Sequence, residues 1–415
     1  MTQAMPSERY HALDSLRAVM MLLGVVLHAA CAYVLYVGDA WPFHDEHTSE
    51  ILGLLLYFVH SFRMPAFFVM AGFFAALLYD RRGMQSLIIN RAKRILLPLV
   101  VGWFILFPLI KMGFVFALAH ESPSRLAVVW EYCRPSRLFE DVNPVHLWFL
   151  YDLLYFYAGA LVLVRASQYL PEKMRMRALR GFRGMIQSPG RVVILGLITA
   201  ATLYPTQEGM LDASGSFAPD VTALVAYGVF FAFGWLLYSQ VDLLPSFRRY
   251  AWTQTAVALP ICVVHLAAIV QLEHERTRTW HCVAIGCGAL IAWLLVFGFL
   301  GLFVRYLDRP IRSMRYLTDA SYWIYLAHLP LIIWLQGLLA NVPMPAIAKF
   351  GAILVISVPI LLVSYHYGVR ATVIGQFLNG RRYPIGSGMV LSRGLAQMNA
   401  DSARQAAGSG VSDPR

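Results

Sequence analysis

Residues 13–28 read Leu13-Asp14-Ser15-Leu16-Arg17-Ala18-Val19-Met20-Met21-Leu22-Leu23-Gly24-Val25-Val26-Leu27-His28, and the apolar run continues to residue 37. A stretch of that length suits a helix crossing the roughly 30 Å hydrocarbon core of a bilayer. Arg17 and His28 lie inside it. Their offset of eleven residues corresponds on an α-helix to a rotation of about 20° and a rise of about 16 Å. Asp14, Arg17, Met21, Gly24 and His28 therefore share one face, with a side-chain-free notch at Gly24. Ionisable groups in a spanning helix are costly and by default mark a functional path. The plainer reading makes Asp14 and Arg17 interfacial anchors and His28 a core histidine bonded to a backbone carbonyl.

The remaining chain repeats the pattern. Apolar residues make up 59%, charged residues only 14%, and mean hydropathy is +0.59, which excludes an ordinary soluble protein. The expectation is an all-α polytopic membrane protein, a single helical bundle of about ten spans. They fall near 16–37, 51–78, 95–118, 147–164, 191–205, 220–240, 251–271, 281–304, 321–339 and 346–368, the fifth being short and ended by proline. The basic residues give an N-in/C-in orientation. With that choice only Arg125, Arg134, Arg137, Arg276, Arg278 and Lys349 fall in segments on the outer side, apart from Arg63 and Lys111 inside spans. This asymmetry accounts for the net charge of +11 without nucleic acid, for which no motif is present. The first apolar segment lacks the short core and small-residue site of a cleavable signal peptide, so it is expected to stay as a span. The five cysteines show neither metal nor redox spacing.

Residues 9–370 read as one membrane domain without a detectable repeat, followed by a Gly-, Ser- and Arg-containing tail (376–415) expected to be disordered and cytoplasmic. The loop 165–190 carries Lys173, Arg175, Arg177, Arg180 and Arg183 and reads as a cationic interfacial helix on anionic lipid, or more weakly as a phosphate-binding surface.

Two further spans bring ionisable groups to depth. The second holds His60-Ser61-Phe62-Arg63-Met64-Pro65, where Pro65 leaves the Ser61 carbonyl without its helical donor. An arginine there needs a counter-charge, a wet cavity or a ligand, or is structural and bonded to carbonyls. The ninth holds Tyr322-Trp323-Ile324-Tyr325-Leu326-Ala327-His328-Leu329-Pro330, with Tyr325 and His328 on one face and the Leu326 carbonyl freed by Pro330. At the outer end of the fourth span His146, Trp148 and Asp152 fit an acceptor site and interfacial anchors equally well. His265 and His366 read as structural. Three such spans in one chain suggest a polar cavity. A proton-coupled transporter or flippase with a histidine relay is the rival to an enzyme.

At these residues the chain resembles the acyltransferase-3 family of integral membrane O-acyltransferases. The resemblance rests on Arg17 and His28 as an Arg-x10-His pair, on the block His60 to Phe68 with Gly72, and on Arg91-Ala92-Lys93-Arg94. It extends to His146-Leu147-Trp148-Phe149-Leu150 and to Ser321 through Pro330, in order over about residues 9–370. The His60-Ser61-Phe62-Arg63-Met64 block is most similar to the glucan biosynthesis protein C branch, which resembles a succinyltransferase for periplasmic glucans. The resemblance implies transfer of an acyl group, succinyl or acetyl, from cytoplasmic acyl-CoA to a glycan hydroxyl across a bacterial inner membrane, with no tightly bound cofactor. It implies donor phosphates near Arg17, Asp14, Arg91 and Arg94, and a pantetheine arm along the Gly24 notch toward His28. There His28 would act as general base or form an acyl-histidine, with Arg63, His60 or Tyr325 meeting the oxyanion, and His328 in the same site.

Overall fold

Inside a bilayer a continuous apolar segment has one conformation that satisfies every backbone N–H and C=O within itself, the helix. The computed structural model describes residues 10–35, 41–206, 208–210, 215–380 and 382, and the regular structure among them is all helical, without strands. Helix α1 runs His11–Cys31, and α2, Glu50–Arg91, passes through a π-helical turn into α3, Leu97–Leu118. Two short helices, α4 (Arg125–Tyr132) and α5 (Pro135–Leu138), occupy the next connection. Then come α6 (Trp148–Ser167), α7 (Glu172–Gln187), α8 (Arg191–Leu203) and α9 (Val221–Tyr238). The chain ends in α10 (Ala251–His274), α11 (Arg278–Tyr306), α12 (Arg312–Leu339), α13 (Ala346–Ser364) and the short α14 (Val373–Asn379). The first residues expected in the tail thus close α14, while 383–415 lie outside the described residues.

Among the described residues eight helical runs are long and apolar enough to cross a membrane, or nine if the bent α7–α8 pair is one span. The difference from ten arises in two places. The second and third expected spans fall in one helical run, Glu50–Leu118, of 69 residues. At 1.5 Å per residue that run is about 100 Å long, some three times the hydrocarbon thickness, and its helical backbone is broken at Gly83 (φ 74°, ψ 177°). The fifth expected span is α8, whose 13 residues cover only about 20 Å.

Helix α1 is enclosed by α12, α2, α11 and α13, while α2 lies along α9 and α3 along α12. The α2–α9 crossing is reciprocal. A Cβ on Gly72 would run into the Phe231 carbonyl, and one on Gly234 into the Val69 carbonyl. Small residues let two backbones approach where hydrophobic burial offers no drive between helices. This crossing sets where α2 presents Arg63. Gly234→Val is expected to cost about 1–3 kcal/mol by overpacking and to lower the Tm of the purified protein. Gly159→Ala, in open space, should leave it unchanged; equal Tm values for the two variants would show that the crossing is not tight.

Candidate active site

A narrow cavity of about 30 Å³ is lined by Met21, Gly24 and His28 of α1 and by Arg63, Met64 and Phe67 of α2. The 3-10 turn Val145–Leu147 adds His146, the first residues of α6 add Trp148 and Phe149, and α12 adds Tyr325 and His328. Seven residues singled out in the sequence are thus brought together: Gly24, His28, Arg63, His146, Trp148, Tyr325 and His328.

The notch at Gly24 is occupied by Arg63. A Cβ there would collide with Arg63 Nη1, and would stand 3.7 Å from the guanidinium carbon and 3.8 Å from His328 Nε2. Arg63 Nε is buried without a hydrogen-bond partner.

Backbone carbonyls fix two of the three imidazoles. His328 Nδ1 is 2.8 Å from the Tyr325 carbonyl and 3.0 Å from that of Ile324. A carbonyl only accepts, so Nδ1 carries the proton and Nε2 presents its lone pair. Pro330 leaves the Leu326 carbonyl without its helical donor, and His146 Nε2–H fills that vacancy at 3.2 Å. His146 Nδ1 is then the bare nitrogen. In return the Tyr325 hydroxyl donates to the His146 carbonyl at 2.8 Å, clasping α6 to α12. His328 Nε2, His146 Nδ1 and His28 Nδ1 are all buried without partners. The His328 ring centre is 5.1 Å from that of His28 and 5.5 Å from that of His146. Proton-accepting nitrogens around one guanidinium can take a proton from a hydroxyl and stabilise an oxyanion beside it.

The other expected residues lie elsewhere. His60, one turn before Arg63, and Asp152, one turn after Trp148, are outside the cavity lining; Asp152 is buried with Oδ2 unpartnered. Arg17 pairs with Asp14 at 3.2 Å and lies over the Phe74 ring. Arg91 lies 4.6 Å over the Tyr157 ring, and the Arg94 carbonyl accepts from Tyr322 OH at 2.6 Å. Tyr322 in turn stacks on Tyr325, ring centres 6.2 Å apart. His265 is a satisfied core histidine, held by Tyr57 OH at 2.7 Å and the Glu208 carbonyl at 2.8 Å.

Sequence reasoning missed the strap over residues 41–49. Its Trp41 meets the His28 ring edge-on at 5.7 Å. The strap is tied to the end of α1 by Asp45 N–H to the Ala32 carbonyl and Ser49 N–H to the Tyr33 carbonyl. It is tied to α13 by Lys349 Nζ–Asp45 Oδ2 at 2.7 Å, both side chains 1% exposed. Gln336 of α12 donates to the His28 carbonyl at 3.0 Å. One signal was available: Lys349 is a cation in the first turn of an apolar helix and demands a counter-charge.

Comparison with known proteins gives the family of the whole chain. Residues 10–366 match the acyltransferase-3 family of acyltransferase domains, and the chain belongs to it. The protein is a multi-pass membrane acyltransferase. It is similar to proteins called Glucans biosynthesis protein C. Those of Salmonella paratyphi B and Salmonella dublin are each 24% identical over 388 residues, covering 91% of this chain and 96% of the relative. That of Salmonella gallinarum is 24% identical over 389 residues. No solved structure matches the chain significantly.

The Gly24 notch makes a separable prediction. Gly24→Ala displaces only the end of a flexible side chain, so the protein should insert and keep its Tm within about 2 °C. Acyl transfer should fall by about tenfold or more as the guanidinium leaves its seat, since a misplacement of about 1 Å can cost 10²-fold. Wild-type turnover by Gly24→Ala would separate the notch from the chemistry.

Proposed function

We propose that this acyltransferase moves a short acyl group, succinyl or acetyl, from cytoplasmic acyl-CoA to a hydroxyl of an extracytoplasmic glycan such as a periplasmic glucan. The observation that carries the reading is the cavity in which His28, His146 and His328 each place an unpartnered ring nitrogen in a lining shared with Arg63. His28 removes the proton of the acceptor hydroxyl as its oxygen attacks the thioester carbon. Arg63 meets the tetrahedral oxyanion, while the Tyr325 hydroxyl, whose proton is given to the His146 carbonyl, holds His146 in place. The intermediate collapses with loss of the CoA thiolate, which takes the proton from the imidazolium. His328 and His146 complete the polar wall, with Trp148 and Asp152 toward the acceptor. Arg17, Arg91 and Arg94 receive the donor's phosphates in charge-assisted pairs, with Asp14 orienting Arg17. The names of the relatives support a glucan acceptor, and the absence of a detectable sequence repeat argues against a transporter. The membrane in this reading is a bacterial inner membrane, with both ends of the chain on the cytoplasmic side.

Purified protein with labelled succinyl- or acetyl-CoA and a glucan acceptor should show transfer. His28→Ala should lose about 10²–10⁴-fold, the usual contribution of a positioned base. Arg63→Met should lose about 10²–10³-fold in kcat, as for removal of one oxyanion donor. Normal transfer by His28→Ala removes it from the mechanism. Solute movement down a pH gradient in liposomes, without acyl-CoA binding, would replace the enzyme reading altogether.

The proposed orientation has its own check. A cysteine at Ser136, within the short α5, should react with a membrane-impermeant maleimide in intact cells. One at Gln85, on the cytoplasmic side beside the Gly83 break, should react only after lysis. The same sidedness for both would overturn the topology.

A further inference from the structure

Helix α7 contributes no residue to the cavity lining, yet eleven of its sixteen residues sort by the 100° helical step into three faces. Leu179, Phe182, Arg183 and Ile186 turn toward the protein. Ile186 is buried, the Phe182 ring is 5.6 Å from Phe233, and Arg183 bonds Asp242 at 2.7 Å and Gln240 at 2.8 Å. Lys173, Arg177 and Arg180 form a second face, exposed and without any ion pair among the described residues. Met174, Ala178, Gly181 and Met185 form the third, with Met174 53% exposed. The two flanks that the protein leaves open are therefore one cationic and one apolar.

Orientation gives this division its meaning. Helix α7 is bent 113° from α8. The exposed side chains of α8, Val193, Ile194, Leu197 and Ile198, are apolar as a lipid-facing surface requires. With α8 directed across the bilayer, α7 lies nearly in the membrane plane. Tyr169 and Leu170, just before it, are exposed as well and suit the same interfacial depth.

We propose that α7 is an interfacial helix that binds anionic phospholipid headgroups through Lys173, Arg177 and Arg180, with its Met174 flank among the upper acyl chains. The charge of the exposed flank selects anionic lipid over zwitterionic lipid. The apolar flank selects a lipid over a free phosphate, which has nothing to place there. The Arg183 bridge holds the helix against the protein at the correct rotation.

Native mass spectrometry of the full-length protein in detergent, titrated separately with phosphatidylglycerol, phosphatidylcholine and CoA, tests this. The triple variant Lys173→Gln, Arg177→Gln, Arg180→Gln changes only exposed side chains. It should bind phosphatidylglycerol about tenfold or more weakly, with phosphatidylcholine and CoA binding unchanged. Met174→Glu, which charges the apolar flank, should weaken phosphatidylglycerol binding in the same direction. Unchanged phosphatidylglycerol affinity in both variants overturns the proposal. So does equal affinity of the wild type for the two lipids. Loss of CoA binding with phosphatidylglycerol retained would instead assign the surface to the donor's phosphates.

Discussion

A guanidinium thirteen residues into α2 sits about 20 Å along that helix, at a depth where charge is expensive and must be lodged in protein. Gly24 supplies the seat. A single Cβ there would strike Arg63 Nη1, so the notch decides where the guanidinium lodges between α1 and α2. Much of the architecture serves the same placement. The Gly72–Gly234 crossing holds α2 against α9, and Gln336 anchors the His28 end of α1 to α12. The cavity is the space left once the cation is housed, so its polarity follows from Arg63.

The histidines are oriented by defects in regular structure. An intact α12 would bond its Leu326 carbonyl to the N–H four residues on. Proline at 330 has none, and His146 from another helix takes the place. That one missing donor fixes a tautomer, aims a bare nitrogen at the cavity and clasps α6 to α12 through Tyr325. Positioned groups of this kind need no reorganisation as charge develops, which is where electrostatic catalysis gains most.

Behind His28 the strap closes the site. Removing one partner of a buried ion pair such as Asp45–Lys349 typically costs about 3–5 kcal/mol, because the other charge is left stranded. The pair therefore holds residues 41–49 in one place, and with them the Trp41 ring against His28. The strap links the end of α1 to the first turn of α13, and so holds Trp41 against His28.

Local rules carried much of this. Hydropathy is a property of contiguous residues, and it identified the helices, including the short, proline-ended one that became α8. Helical periodicity placed Gly24 with His28, and the chemistry of proline marked the Leu326 carbonyl as free. The sequence also supplied seven of the residues that meet in the cavity, because ionisable groups in apolar spans stand out wherever they fall. What lies in the third dimension was not legible. Nothing local says that His146 would be the donor to Leu326, that Arg63 would fill the Gly24 notch, or that His60 would stay outside the lining while Arg63, one turn on, reached it. Nor could it show that Asp45, in a polar loop, would be the buried partner of Lys349. Those pairings depend on which helix faces meet across hundreds of residues, and only packing of the whole bundle decides that.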